Sequence, residues 1–167
     1  PMTMADAKNS ANWTEWRHAM DEEYAALKSN GTWDLVPLPP GRKPITSKWL
    51  FKIKHKKDGT VERYKARLVA RGYTQRYGLD YKETFAPVVR FETIRALLTL
   101  AAVNDYHIHQ MDVSTAFLNG KLNEEIYMVQ PEGYIQKGAE NMVCLLKKGL
   151  YGLKQAPREW FKTLSEC

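Results

Sequence analysis

In the stretch Lys48-Trp-Leu-Phe-Lys-Ile-Lys54, the large apolar residues Trp49, Phe51 and Ile53 alternate with Lys48, Lys52 and Lys54, and a second strand-like run follows from Glu62 to Arg71. Alternation with period two is typical of a strand that buries one face and exposes the other. Between the two runs lies Lys56-Lys-Asp-Gly59, and the dipeptide Asp-Gly favours a tight hairpin turn. The sequence therefore predicts a β-hairpin with one apolar face and one cationic face.

Positive charge is concentrated in this hairpin and its flanks. The net charge of the chain is +6, but residues 42–76 hold twelve Lys or Arg against the two acids Asp58 and Glu62, so this segment is +10 and the remainder −4. Such a segment indicates a polyanionic partner, because each phosphate that a cation neutralises releases condensed counterions. The alternative is a hairpin whose cations face only water. The interleaved aromatic residues favour the polyanionic partner.

Length and composition are typical of one globular domain. The chain has 167 residues, of which 44% are hydrophobic. No run approaches the roughly 18 apolar residues of a membrane helix, and the N-terminus lacks the layout of a signal peptide. Cys144 and Cys167 form no metal-type spacing, which favours a reducing compartment. We therefore expect an intracellular protein with no secretion signal and no membrane partner. Because the chain begins at Pro1 and stops just after a helix has started, we expect both ends to be cut.

Two amphipathic helices are predicted in the first two thirds of the chain. Asn12 is placed to cap the first helix, Glu15 to complete a capping box, and Asn30-Gly31 to end the helix. The second helix opens at Glu92 or Thr93. Apolar residues recur at helical spacing in both, and we expect those of the second helix to be buried. These stripes are Trp13, Trp16, Met20, Tyr24 and Leu27 in the first helix, and Ile94, Leu97, Leu98 and Ala101 in the second.

The remaining elements are short strands, loops and a last helix. Strands are predicted at Trp33 to Val36, at Tyr106 to Val113, at 125–129 and at 142–146, and irregular connections at 37–44 and 72–87. A Gly-rich turn at 148–155 leads to a helix with Pro157 in its first turn. This mixture without internal repeats predicts an α+β fold.

Asp112 is the candidate site residue that stands out before any comparison. It ends the predicted strand 106–113 and precedes a turn of small residues, an arrangement suited to holding magnesium through oxygen ligands. The alternative for an isolated aspartate is a turn cap or a surface charge. His107 and His109 share the opposite face of the same predicted strand. Since no third ligand is evident, we interpret them as core or surface histidines.

Several long motifs follow one another along nearly the whole chain. They are Lys65-Ala-Arg-Leu-Val-Ala-Arg-Gly-Tyr-Thr-Gln75, Phe85-Ala-Pro-Val-Val-Arg90, His109-Gln-Met-Asp-Val-Ser-Thr-Ala-Phe-Leu-Asn-Gly120, Tyr127-Met-Val-Gln-Pro-Glu-Gly133 and Leu150-Tyr-Gly-Leu-Lys-Gln-Ala-Pro-Arg158. With these motifs, the sequence from about Trp13 onward closely resembles the reverse transcriptase of copia-type LTR retrotransposons, and their length and order argue against chance similarity. The resemblance implies a right-hand polymerase with an incomplete antiparallel sheet and packing helices. Residues 1–31 would hold an N-terminal helix, 32–91 the fingers with the basic hairpin, and 92–167 the first part of the palm.

The resemblance also implies roles for the residues around Asp112. Nucleotidyl transfer uses two Mg²⁺ ions, to which Asp112 would contribute a carboxylate and Val113 a backbone carbonyl. Phe117 would be a steric gate that leaves no room for a ribose 2′-hydroxyl, with a core phenylalanine as the alternative. Ala116 would allow the nucleotide to approach the backbone.

Basic side chains and the Gly-rich turn complete the implied site. Lys65 and Arg67 point to one face of their strand and rank first for binding the triphosphate, followed by Lys56 at the hairpin tip. Contact with template phosphates only, or with water, is the alternative. Gly152 and Gln155 would lie at the incoming nucleotide. Further nucleic-acid contacts are expected from Lys52, Lys54, Lys57, Arg71, Lys154 and Arg158.

One absence limits the expected activity. The family's Tyr-x-Asp-Asp hairpin carries two further catalytic aspartates, and no Asp-Asp pair occurs in this sequence. We therefore expect a C-terminally truncated RNA-directed DNA polymerase that is inactive alone. In the full-length protein the partners would be an RNA or DNA template–primer, deoxynucleotides and the rest of Pol, comprising the remaining palm, the thumb and RNase H. A non-catalytic nucleic-acid-binding module or a pseudogene relic is the alternative. The parent element would act in cytoplasmic virus-like particles or in the nucleus.

Overall fold

Four α-helices and five strands lie within residues 1–166, the part of the chain that the computed structural model describes. The helices are α1 (Met4–Lys8), α2 (Trp13–Ser29), α3 (Phe91–Val103) and α4 (Ala156–Ser165). The strands are β1 (Trp33–Pro37), β2 (Ser47–His55), β3 (Val61–Ala70), β4 (Lys121–Val129) and β5 (Met142–Lys148). All the named strands pair antiparallel, which confirms the predicted α+β class. None of the described helices has both the length and the apolar composition that crossing a membrane requires.

β2 and β3 form the predicted hairpin, and their register separates the side chains by chemistry. Trp49 lies opposite Leu68, whereas Lys52 lies opposite Lys65. Directly opposed side chains of an antiparallel pair share a face, and Trp49 and Leu68 are both buried. Gly59 adopts a φ of 84° in the connecting turn, a conformation that favours glycine. The hairpin therefore has the predicted apolar and cationic faces.

α2 covers the apolar face of the hairpin. The Trp16 ring packs edge-on against Phe51, with 5.2 Å between centroids, and against Tyr64, with 4.6 Å. Such aromatic pairs add to the stabilisation from buried area. Trp16 and Leu27 lie on one stripe of the helix and are almost fully buried. The helix spans Trp13–Ser29, which confirms the prediction from spacing.

The predicted capping box at the start of α2 is wrong. The Asn12 side chain makes no capping bond, and its backbone (φ −102°, ψ 28°) is not extended as that of an N-cap usually is. A turn sets this backbone, because the Trp13 N–H donates to the carbonyl O of Ser10 over 3.2 Å. The unpredicted helix α1 precedes the turn, and its own capping box joins Thr3 and Asp6.

The other strands form a three-stranded sheet in the order β1-β5-β4. Its central strand, β5, buries Cys144 and Leu146. Ile45 extends the sheet beyond β4, since its N–H donates to the carbonyl O of Tyr127 over 2.8 Å. The predictions for β1, β4 and β5 are confirmed, although β4 begins at Lys121 rather than at 125.

The base of the hairpin meets the turn that precedes α4. The Ala70 N–H donates to the carbonyl O of Tyr151 over 2.7 Å. Gly152 has a φ of 90°, and a Cβ added there would overlap the carbonyl O of Ala70. A Cβ at Gly72 would likewise overlap the carbonyl O of Gly152. Only glycine allows backbones to approach this closely. We call Ala70, Gly72, Tyr151 and Gly152 the hairpin junction.

The predicted strand at Tyr106 to Val113 is wrong. The chain is irregular from 106 to 113, and the side chains of these residues are exposed. A strand persists only when a neighbouring backbone takes its N–H and C=O groups. Within residues 1–166 no strand pairs with this segment. Asp112 therefore lies on an irregular segment rather than at the end of a strand.

α3 forms where it is predicted, but the expected burial of its apolar stripe is wrong. Ala101 is buried, whereas Ile94, Leu97 and Leu98 are exposed, Leu97 to 62%. Spacing shows which side of a helix would face a core, but burial needs a facing element. Among the described residues, none covers these three side chains.

Replacing Gly152 by alanine should lower the free energy of unfolding by about 2–5 kcal/mol, because the Cβ meets backbone and the φ is left-handed. Gly138→Ala is the matched control, since Gly138 has a φ of 83° and open space around the missing Cβ. Urea denaturation followed by circular dichroism measures both variants. Equal losses for the two substitutions would contradict the close approach at the hairpin junction.

Candidate functional site

A cleft of about 370 Å³ lies between β3 and residues 112–115, where the irregular segment ends. One wall carries cations of β3, the other carries residues 112–115, and apolar side chains close the floor. The residues that matter for its chemistry are Glu23, Arg63, Lys65, Arg67, Asp112, Val113 and Tyr151. Four of these, Lys65, Arg67, Asp112 and Val113, are predicted from the sequence as site residues. The fold therefore brings the two most informative motifs together.

The cationic wall follows from strand geometry. Arg63, Lys65 and Arg67 share a face because alternate residues of a strand point the same way. The Arg67 guanidinium lies over the ring of Tyr151, with its Cζ 4.9 Å from the centroid, a contact that orients the cation. Burial lowers the pKa of Lys65, and the charges of Arg67 and Arg63 lower it further. An anion in the cleft would oppose this shift, so the wall is suited to bind phosphate.

The opposite wall, formed by residues 112–115, is held in place by the residues that follow it in the chain. Thr115 adopts a left-handed conformation with φ 53°, and the Leu118 N–H donates to the carbonyl O of Thr115 over 2.8 Å. A Cβ at Gly120 would stand 2.8 Å from the backbone of Glu159, so the chain passes close against α4. Asp112, just before this anchored turn, is exposed and lines the cleft.

Phe117 and Ala116 lie behind this wall and are half-buried. The Phe117 ring packs edge-on against Tyr151, with 4.7 Å between centroids, and Tyr151 lines the cleft. Phe117 also packs against the hydrophobic core. This position fits both interpretations of Phe117, a core side chain and a ring near the nucleotide, and its role as a steric gate stays a prediction.

Glu23 is a cleft residue that the sequence analysis missed. It projects from α2, and its Oε1 accepts a hydrogen bond from the Leu68 N–H over 3.3 Å. Burial raises the pKa of Glu23, and the charges of Arg67 and Lys65 partly oppose this. The signal lies in the helix pattern, where Glu23 follows Met20 by three residues and so falls in the apolar stripe. A charged group in a buried stripe requires a partner, here the edge of β3 and its cations.

The Gly-rich turn places two predicted site residues away from the cleft. Gln155 is 1% exposed; its Nε2 donates to the carbonyl O of Asp80, and its Oε1 accepts from the Nε2 of Gln75, both over 2.9 Å. Gly152 belongs to the hairpin junction. Both residues therefore stabilise the fold in this structure, and contact between either of them and a nucleotide stays a prediction.

Lys154 and Arg158 also lie outside the cleft. The Lys154 Nζ donates to the hydroxyl of Tyr81 over 3.1 Å. Arg158 forms an ion pair with Glu83 and donates to the carbonyl O of Phe85. Both cations therefore lie beside the loop that follows β3, and neither lines the cleft.

The other hairpin cations continue the cationic wall beyond the cleft. Lys52 lies opposite Lys65, and Lys54 lies opposite Arg63, so all four share one face. The remaining predicted contacts are exposed at the turn or just beyond β3, and these are Lys56, Lys57 and Arg71.

The described residues do not form a complete magnesium site. Within residues 1–166, no group of three or more His, Cys, Asp or Glu side chains is placed to hold a metal ion. Mg²⁺ requires near-octahedral oxygen coordination, for which the Asp112 carboxylate and the Val113 carbonyl are too few. His107 and His109, interpreted from the sequence as core or surface histidines, are both exposed at the surface in the structure.

Comparison with known proteins identifies the family. Residues 30–167 match the family model described as reverse transcriptase (RNA-dependent DNA polymerase). The chain belongs to this reverse transcriptase family. It is 48% identical over 161 residues to the Retrovirus-related Pol polyprotein from transposon TNT 1-94 of Nicotiana tabacum, an alignment that covers 96% of the chain and 12% of that protein. It is 52% identical over 150 residues to the Retrovirus-related Pol polyprotein from transposon RE1 of Arabidopsis thaliana, covering 89% of the chain and 10% of that protein.

These relatives confirm the resemblance to copia-type reverse transcriptases that the motifs predict. The chain spans only 12% and 10% of the length of the two Pol polyproteins, so the likeness concerns one segment of each. No solved structure matches the chain. Within this reverse transcriptase segment, the motif that contains Asp112 and the motif that contains Lys65 and Arg67 form opposite walls of one cleft.

Glu23→Gln should change how the stability of the protein depends on pH. Because the pKa of Glu23 in the folded protein lies above its ordinary value of 4.5, the folded state binds this proton more tightly than the unfolded chain does. The resulting stabilisation is complete below pH 4.5 and is lost as the pH rises through the folded-state pKa. Glutamine keeps an acceptor for the Leu68 N–H without a charge. As the pH rises from 4.5 through the folded-state pKa of Glu23, the variant should therefore become more stable relative to the wild type.

Urea denaturation between pH 4 and pH 8 measures this difference. Glu15→Gln is the matched control, because Glu15 is an exposed glutamate on the same helix. A difference between Glu23→Gln and the wild type that stays constant with pH would show that burial does not perturb this carboxyl.

Proposed function

We propose that the chain forms the fingers and the first part of the palm of a copia-type RNA-directed DNA polymerase, and that its cleft binds the triphosphate of the incoming deoxynucleotide. The observation that carries this proposal is the cleft itself, in which the cations of β3 face the Asp112 segment. Residues 32–91 would form the fingers and residues 92–167 the palm. Residues 1–31 contain α2, the helix that supports the hairpin.

The chemistry of the cationic wall matches a triphosphate. The Arg67 guanidinium presents fixed N–H donors that bind phosphate oxygens in pairs, and its contact with Tyr151 keeps it oriented. Lys65 supplies a positive charge. Burial and the neighbouring cations lower the pKa of its ammonium group, and a bound anion would oppose that shift. Arg63 adds a third charge on the same face, and Lys56 is proposed as a contact from the hairpin tip.

Asp112 is proposed as one carboxylate of the catalytic set, with the Val113 carbonyl as a further oxygen ligand. Two Mg²⁺ ions would be the cofactors of the complete polymerase. The described residues do not complete the coordination of either ion, so further carboxylates such as those of the family's Tyr-x-Asp-Asp hairpin are needed. We therefore assign Asp112 a ligand position and no catalytic step in this chain alone.

Selection of deoxynucleotides is proposed for Phe117. Its ring contacts Tyr151, which lines the cleft, so the ring lies one side chain away from the proposed nucleotide site. Ala116, half-buried beside it, adds little bulk. A flat ring backed by the core is suited to exclude a 2′-hydroxyl, because core packing leaves it little freedom to move aside.

The cations outside the cleft are proposed to bind an RNA or DNA template–primer. They are Lys52, Lys54, Lys57, Arg71, Lys154 and Arg158, and all retain at least partial exposure. Their charges act on phosphates irrespective of base sequence, as a polymerase requires.

The exposed side of α3 is proposed to contact the remainder of Pol. Leu97, Leu100 and Val103 are all more than half exposed there, and a continuous apolar patch usually marks an interface. The remaining palm would cover this patch, and the thumb and RNase H would be further partners. The parent element would act in cytoplasmic virus-like particles or in the nucleus.

A non-catalytic nucleic-acid-binding module is the second candidate function. It is favoured by one observation, that the described part of the chain has a cationic face but no acidic cluster able to hold a metal. The two candidates differ in the ligand of the cleft. A polymerase segment has a deoxynucleotide site there, whereas a binding module needs only nucleic acid.

Lys65→Ala and Arg67→Ala should each weaken deoxynucleoside triphosphate binding roughly 10- to 100-fold, the effect of losing one charge-assisted hydrogen bond. Titration with a fluorescent deoxynucleotide at low salt measures the affinity. Lys137→Ala is the matched control, because Lys137 is exposed and lies outside the cleft. Equal weakening by all three variants would indicate attraction to net charge alone and would contradict the cleft as the site.

The 167-residue chain alone should extend no primer, because it supplies too few carboxylates for two ions. It should still bind a template–primer, with an affinity that falls steeply with salt. Primer extension with Mg²⁺ and all four deoxynucleotides tests the first expectation, and fluorescence anisotropy tests the second. DNA synthesis that Asp112→Asn abolishes would contradict the expected inactivity. A chain that binds neither template–primer nor deoxynucleotide would refute the proposed function.

A further inference from the structure

Two tyrosine rings are exposed on the loop between β3 and α3. Tyr73 is 75% exposed and Tyr77 is 77% exposed. A third ring, Tyr81, contacts Tyr77 edge-on with 5.7 Å between centroids. None of the three lines the cleft. Exposed aromatic rings carried on one short loop indicate a contact surface, and the triphosphate site does not account for them.

Buried polar side chains fix this loop. Asp80 is buried, and its Oδ2 accepts a hydrogen bond from the Arg76 N–H over 2.8 Å. The Gly78 N–H donates to the carbonyl O of Tyr81 over 2.8 Å, and Gln75 is buried as well. The loop that carries the rings is therefore ordered before any ligand binds, which reduces the entropy lost on binding.

The loop that carries the rings also carries positive charge. Arg71 and Lys82 are exposed cations of this loop, and the Lys154 Nζ lies 4.5 Å from the centroid of Tyr81. Both acids between residues 71 and 83 are engaged in ion pairs, Asp80 with Arg76 and Glu83 with Arg158. Rings set among cations are the arrangement that binds single-stranded nucleic acid, because bases stack on the rings while cations hold the phosphates.

We propose that Tyr73 and Tyr77, with the cations around them, form a stacking platform for unpaired bases of a nucleic-acid strand, separate from the triphosphate cleft. The proposal rests on the proposed function in one respect, namely that the chain binds nucleic acid. The turn before α4 connects the two surfaces, because Tyr151 lines the cleft and Lys154 contacts Tyr81. An unpaired strand exposes the faces of its bases and a duplex does not, so the platform selects single strands.

The double variant Tyr73→Ala/Tyr77→Ala tests the platform, and Tyr73→Phe/Tyr77→Phe is the matched control that keeps both rings. Fluorescence anisotropy with a labelled oligothymidylate, and with a labelled duplex of the same length, measures affinity at several salt concentrations. The alanine variant should bind the single strand about 10- to 100-fold more weakly, and the phenylalanine variant should bind it as the wild type does. The dependence of affinity on salt should be the same in all three proteins, because no cation is removed.

An alanine variant that binds oligothymidylate as tightly as the wild type overturns the proposal, and assigns the rings to another contact such as a protein partner. If the alanine variant loses as much affinity for the duplex as for the single strand, the proposal is also overturned, since the substitutions would then act by disturbing the fold. Thermal unfolding of each variant checks the fold directly. If the wild type binds neither single strand nor duplex, the proposed function fails as well. If the wild type binds both and the alanine variant is unchanged, only the platform fails.

Discussion

The close backbone contact at the hairpin junction determines where the cationic wall stands. The hairpin and the three-stranded sheet share no strand pairing, so their relative position depends on this contact, on α2 and on bonds such as that from the Trp49 Nε1 to the carbonyl O of Glu132 over 3.0 Å. Gly72 and Gly152 allow the two backbones to meet, and the hydrogen bond from Ala70 to Tyr151 sets the register between them. Arg67, three residues before Ala70, then lies over the Tyr151 ring. The contact therefore links the last turn of the chain to the cations of the cleft.

Buried polar side chains that do not line the cleft support the junction. Gln155 bonds to Gln75 and to the backbone of Asp80, and these three residues are almost fully buried. Among the described residues, no buried side-chain donor or acceptor lacks a partner, which matters because each unsatisfied group costs about 1–3 kcal/mol. Replacement of Gln155 by an apolar residue would remove both bonds and leave only the longer bond of 3.4 Å from the Gln75 Nε2 to the carbonyl O of Asp80. The Gly-rich motif is therefore explained first by packing, and any contact with a nucleotide adds to that.

Residue spacing and turn residues were sufficient to predict those elements whose formation depends on nearby residues. The turn at Asp58-Gly59 and the alternation before it predict the hairpin, and the stripe that ends at Asn30-Gly31 predicts α2. Long-range features were not predictable in this way. A strand at 106–113 would form only with a pairing partner, and Leu97 would be buried only under a facing element. To predict that Glu23 lines the cleft, one must know which side of α2 covers β3. The approach of Lys65 to Asp112 followed from motif resemblance, since no spacing rule relates residues so far apart in the chain.

The position of Asp112 is fixed only by the residues that follow it in the chain. Downstream, the Thr115 turn and the passage of Gly120 against α4 anchor the chain, whereas upstream the segment from 106 to 113 is irregular and exposed. A metal ligand must be held to within about 0.5 Å of its productive position, a precision that an unpaired segment does not provide. The alternating side chains of this segment are suited to a strand, and a backbone that pairs with it would fix Asp112 from the upstream side. The cationic wall needs no such partner, because α2 and the hairpin junction already hold it. The proposed phosphate binding and the proposed metal binding therefore depend on different parts of the structure, and the first would not require the second.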